Sequence, residues 1–140
     1  MAHVKLLKDR SNGLEAIIVV VVPLVFGLVT GIMLGISEPI YLVLSLLGIL
    51  GGFAAGLEHE YALEGFYRGL LGGLLFGFGI LLAHGIADVA PKAELLEPEI
   101  VLIAITATFG AGLGALGGRV RERRSRRTAV AGERAPAAMG

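Results

Sequence analysis

Charged residues in this chain fall in clusters, and the uncharged windows between the clusters have nearly one length. Residues 16–37, 39–57, 69–87 and 100–118 lie between Glu15, Glu38, Glu58, Arg68, Asp88, Glu99 and Arg119, and measure 22, 19, 19 and 19 residues. As helices rising about 1.5 Å per residue they reach roughly 28–33 Å, which matches a hydrocarbon core of about 30 Å. With 55% hydrophobic and 17% charged residues and a mean hydropathy of +0.80, the 140-residue chain is too apolar for a soluble domain of its size. The expected fold class is all-α: a polytopic membrane protein, a four-transmembrane-helix bundle of two hairpins. The apolar run from Ala16 through Val29 outlasts the core of a cleavable signal, so the first span is expected to stay in the mature protein.

The sides of the membrane follow from the basic residues. Lys5, Lys8, Arg10, Arg68, Arg119, Arg121, Arg123, Arg124, Arg126, Arg127 and Arg134 fall at one end of the spans, and Lys92 alone at the other. Lys and Arg near span ends are retained in the cytoplasm, so a multi-pass protein of the cell membrane with both termini cytoplasmic is expected. Three regions result: a cytoplasmic tail over 1–13; a transmembrane domain over 14–118, with spans at about 16–37, 39–57, 66–87 and 99–118; and a tail over 119–140 that is basic and then disordered. Pro39 suits the start of the second helix, where its missing N–H costs nothing. Lys92 to Leu96 has the makings of one interfacial turn, and Tyr61 and Tyr67 suit headgroup depth.

Glycine is the most informative residue type, with 22 copies. It recurs every fourth position as Gly27, Gly31 and Gly35; Gly48, Gly52 and Gly56; Gly65, Gly69, Gly73 and Gly77; and Gly110, Gly114 and Gly118. A four-residue step advances about 400°, so each set lines one helix face on which another backbone can approach closely. In lipid no hydrophobic gain draws helices together, and such close approach is a main source of association. Further glycines at Gly51, Gly72, Gly79, Gly112 and Gly117 give several helices a second thin face, as contact with other chains would require. The third span carries the densest set and is expected to be the central, most buried helix. The halves also look alike: Glu38-Pro39 and Glu97-Pro98 precede Gly51 and Gly110 at equal distances, and Gly27, Gly31 and Gly35 match Gly69, Gly73 and Gly77. These matches hint at a repeated hairpin related by an axis along the membrane normal.

Little in the sequence points to chemistry. The 12 basic and 12 acidic residues balance and give no reason to expect a nucleic-acid partner, and the absence of cysteine excludes thiolate sites and a cysteine nucleophile. No ionisable residue lies deep in a span, where carriers place them. His84 and Asp88, one turn apart, read as an interfacial polar pair. Glu58, His59 and Glu60 are consecutive, so on a helix they diverge by about 100° per residue and do not converge on one ion. Glu64 and Arg68 have the spacing of a stabilising helix pair. Thr30, Ser45, Thr106 and Thr108 lie within spans; they are candidates for a polar path, although such hydroxyls more often bond a backbone carbonyl one turn back. No Ser or Thr has a neighbouring base to activate it. Arg119, Arg121, Arg123, Arg124, Arg126 and Arg127 are candidate contacts for anionic lipid headgroups.

The segment Gly51-Gly52-Phe53-Ala54-Ala55-Gly56, with the charged turn after it and the run from Gly65 to Gly77, resembles small glycine-rich four-span proteins of archaea and bacteria known only as domains of unknown function. The likeness covers about residues 20–86 and implies no activity. Two other glycine-rich families are excluded on residues: rotary ATPase proteolipids need a mid-span carboxylate, and small multidrug exporters a membrane-embedded Glu, whereas Glu15 here precedes its span. The sequence thus leads to a non-enzymatic protein without cofactor or metal. It is expected to work through helix packing as an accessory or structural subunit or as a homo-oligomer, its partners being membrane lipids and itself or another membrane protein. A small oligomeric channel or transporter is the alternative.

Overall fold

A computed structural model describes residues 13–14, 17–95 and 97–137, with side chains to residue 130. Residues 1–12, Glu15, Ala16 and Leu96, and with them most of the amino tail, fall outside the described residues. Among the described residues, those from 17 onward form a π-helical turn over Ile17–Val21 and four helices, α1 (Val22–Leu34), α2 (Glu38–Gly56), α3 (Ala62–Ala87) and α4 (Val101–Ala137). The π-helical turn runs directly into α1, and Ile17–Leu34, α2, α3 and α4 through Val130 are all long and apolar enough to cross a membrane.

Local chemistry explains the boundaries. Pro39 stands in the first turn of α2, after the extended Ser37, where a missing N–H leaves no hydrogen bond unmade. Asp88 ends α3 in the left-handed region at φ 47°, its N–H donating to the His84 carbonyl, an arrangement that favours Asp and Asn among residues with a Cβ. The segment after Asp88 is irregular: Lys92 to Leu95 form no helical turn. The Lys92 N–H instead donates to the carbonyl of Leu34 at 2.8 Å, seating the loop on the end of α1 and burying Ala93. At the carboxyl end α4 continues as helix through Ala137, where a disordered tail was expected from about Thr128. Its 37 residues span roughly 55 Å, well beyond a hydrocarbon core of about 30 Å.

The packing is uneven along the bundle. At the end that carries the Lys92 loop, Leu34, Tyr41, Phe76, Ile80 and Ala93 make a buried cluster. Toward the opposite, arginine-bearing end, α3 and α4 are held together by glycine. A methyl group at Gly65 or Gly69 would strike the carbonyl of Gly114 or Gly110, and one at Gly73 the Thr106 carbonyl. Helix α3 is central in that it packs on all three others and more extensively than any of them. The most buried span, however, is that of α4, at 39% of its apolar window against 33% for α3, because α4 lies in the groove between α3 and α2.

A glycine-lined cavity and its charged rim

The glycine sets serve different partners. On α1, Gly27 and Gly31 meet the backbone of Phe76 and Ile80 on α3, and Gly79 returns the contact against Leu24 and Leu28. On α2, Gly52 lies against Gly110 at 3.2 Å from the position of a Cβ, Gly56 lies against Gly114, and Gly117 of α4 meets Phe53 and Leu57. Gly77 faces Thr106 and Ile103, while Gly118 faces Tyr61 and Ala62. Gly48 leaves room for a side chain instead: the Phe76 ring stands where its Cβ would be. Gly35 meets the Val89 side chain of the loop and the Ile32 carbonyl, at ordinary contact distances. Nowhere do the glycines of α1 and α2 find their nearest neighbours on each other.

That leaves a hollow of about 270 Å³ bounded by Pro23 and Phe26 of α1, Gly51 and Ala55 of α2, and Gly72 and Phe76 of α3, with Thr106 and Gly110 of α4 behind. The Phe76 ring, stacked on Phe26 at 5.7 Å, closes it toward the buried cluster. Gly51 explains part of the volume, since nothing lies within 4 Å of where its Cβ would be. The walls are apolar, and the hydroxyl of Thr106 is engaged by the carbonyls of its own helix, Leu102 at 3.0 Å and Ile103 at 3.1 Å.

The rim toward the arginine end is charged. Glu58 and Arg68 line it together, and Glu58 is the carboxylate whose field acts on Arg68. Arg68 reaches across the mouth: its Nη2 donates to the carbonyl of Ile18 at 3.0 Å, in the π-helical turn, and its Nε is buried without a hydrogen-bond partner. The i,i+4 spacing suggested Glu64 as its mate, yet the field of Glu64 falls on His59. Burial pushes the His59 imidazole below its ordinary value; Glu64 and Glu58 oppose that shift, and Arg68 and Arg121 add to it. Nη1 of Arg121 donates to the Leu57 carbonyl at 2.8 Å, satisfying a backbone acceptor left over at the end of α2.

The remaining sequence candidates are scattered. Thr30 is fully buried and donates to Phe26, Thr108 is exposed and donates to Ala104, and the buried hydroxyl of Ser45 has no partner. Of the four proposed polar-path residues only Thr106 reaches the cavity, so they are not brought to one lumen. His84 and Asp88 are joined through the backbone at the α3 terminus. Among the described residues no group of three His, Cys, Asp or Glu is placed to hold a metal. Of the six tail arginines, Arg121 is half-buried as a helix cap and Arg126 pairs with Glu122 at 2.8 Å; Arg119, Arg123, Arg124, Arg126 and Arg127 are exposed. Sequence reasoning missed the cavity and the reach of Arg68. The coincidence of Gly51, Gly72 and Arg68 was visible, but nothing in the sequence said that they share one space.

The class defined by this architecture is a multi-pass, all-α membrane protein whose helices cross through glycine. No protein-family profile, curated protein or solved structure matches the chain.

Proposed function

We propose that this is a non-catalytic protein of the cell membrane, with both termini in the cytoplasm, that acts by packing against further helices, in the first place those of its own copies. The supporting observation is a face of α4. Ala104, Thr108 and Gly112 recur at four-residue steps and are exposed, and nothing lies within 4 Å of a Cβ built at Gly112. Thr108 is already bonded to the Ala104 carbonyl, so the face presents little that needs a polar partner. Its form is that of the crossings inside the bundle, a small-residue stripe that lets another backbone come close. The basic end, with eleven of the 12 Lys and Arg, is assigned to the cytoplasm by the rule that retains positive charge there.

The chain has no cysteine, which makes the test clean. Gly112→Cys in native membranes should form a disulfide-linked dimer on oxidation, and Gly85→Cys, on an exposed part of α3, should not. Gly112→Leu should shift the purified protein to smaller particles in size-exclusion chromatography. A chain that does not cross-link through Gly112 and whose particle size ignores Gly112→Leu would remove the basis of this reading.

A further inference from the structure

The cavity lies at bilayer depth, between helices that each cross the hydrocarbon, and its chemistry is divided. From Phe76 to Arg68 it follows α3 for about 12 Å, eight residues at about 1.5 Å each. Over that length its walls are aliphatic, aromatic or glycine, with the one hydroxyl, that of Thr106, turned to its own helix. An apolar void of this kind does not hold water, which needs several polar partners, but it accepts an apolar guest. Its one polar edge carries both a cation and an anion, Arg68 and Glu58, on the same rim. The guanidinium has a donor to spare there, since Nη2 is bound to Ile18 while Nε is buried with no acceptor. A buried donor without an acceptor is costly, and a phosphate oxygen is a strong match for a guanidinium edge.

We propose that the hollow between α1, α2 and α3 is a site for one acyl chain of a phospholipid from the leaflet at the arginine end, with the lipid phosphate on Arg68 and a headgroup amine beside Glu58. The pairing of charges selects an amine-bearing zwitterionic headgroup, of the phosphoethanolamine type, over an anionic one, which would meet the Glu58 carboxylate. The Phe26 and Phe76 rings set the depth to which the chain enters. Glycine at Gly51 and Gly72 has a purpose in this arrangement: any side chain there would occupy the volume of the guest or press on Arg68, whose Nη1 lies 3.1 Å from the Cβ position of Gly72.

The experiment is native mass spectrometry of the purified full chain in detergent, with phosphatidylethanolamine, phosphatidylglycerol or oleate added at equal concentration. The wild type should retain one phosphatidylethanolamine, about tenfold better than either competitor. Gly51→Leu, whose Cβ has nothing within 4 Å, should lower that retention by about tenfold at unchanged thermal stability, and Gly85→Leu should leave retention as it is. Arg68→Gln should reduce the preference for phosphatidylethanolamine over oleate. Equal retention of phosphatidylglycerol or oleate by the wild type would overturn the headgroup assignment. Undiminished retention by Gly51→Leu would overturn the cavity as the site.

Discussion

The two hairpins carry glycine at the same four-residue spacing and use it in opposite ways. In the second hairpin, α3 and α4 meet each other: Gly65 opposes Gly114 and Gly69 opposes Gly110, so the antiparallel backbones come into direct contact. In the first, α1 turns its glycines to α3 and α2 turns its own to α4, each in parallel, and the hairpin opens into the cavity. Positions that match in the sequence therefore do different work. Gly110 sits in a backbone crossing, whereas its counterpart Gly51 faces open space. The two Glu-Pro pairs also diverge, since Pro39 is within the first turn of α2 while Pro98 precedes α4 in the loop. Aromatic side chains are what keep the first hairpin apart: the Phe76 ring occupies the place left by Gly48 on α2 and stacks on Phe26 of α1, so it stands between the two helices. A four-residue glycine step makes a close crossing available, and the side chains around it decide whether the crossing forms.

The largest effect expected from this contrast is at Gly69. Its β-carbon position coincides with the Gly110 carbonyl, so Gly69→Leu must separate α3 from α4. Overpacking of a core costs about 1–3 kcal/mol, and backbone, unlike a side chain, has no rotamer by which to give way, so the loss should reach the top of that range. Gly51→Ala, in the open hairpin, should stabilise by roughly 0.5–1 kcal/mol through helix propensity alone. Thermal unfolding of both variants in one detergent checks the pair, and equal destabilisation by both would mean that the hairpins are packed alike.

A smaller effect is expected at the junction of α2 and α4. Arg121→Gln withdraws the donor from the Leu57 carbonyl, at a partly exposed site where the loss should be about 1 kcal/mol. Retention of full stability in a denaturant titration would reduce Arg121 to one more charge of the basic end.

The smallest expected effect is that of pH at the connection of the hairpins. The folded protein holds His59 below its unfolded value of about 6.5, so the unfolded chain binds the extra proton first. Stability should therefore fall as pH drops through about 6.5 and toward the folded value, and His59→Gln should flatten that part of the profile. A slope unchanged in His59→Gln would assign the acid sensitivity to other groups.

The all-helical class and the four helices long and apolar enough to cross a membrane were legible because they depend on quantities local to the chain: the length between charges and hydropathy. Helical periodicity likewise determined which glycines share a face, as with Gly27 and Gly31 or Gly110 and Gly114. It could not say which helix each face meets. In a bilayer, lipid is as apolar as a neighbouring helix, so hydrophobicity does not turn a face inward; the choice falls to close van der Waals packing among residues far apart in sequence. For that reason only the tertiary structure decided that Gly69 meets Gly110 while Gly51 meets nothing, that Arg68 binds Ile18 fifty residues away instead of pairing with Glu64, and that α1 and α2 stand apart around Phe76.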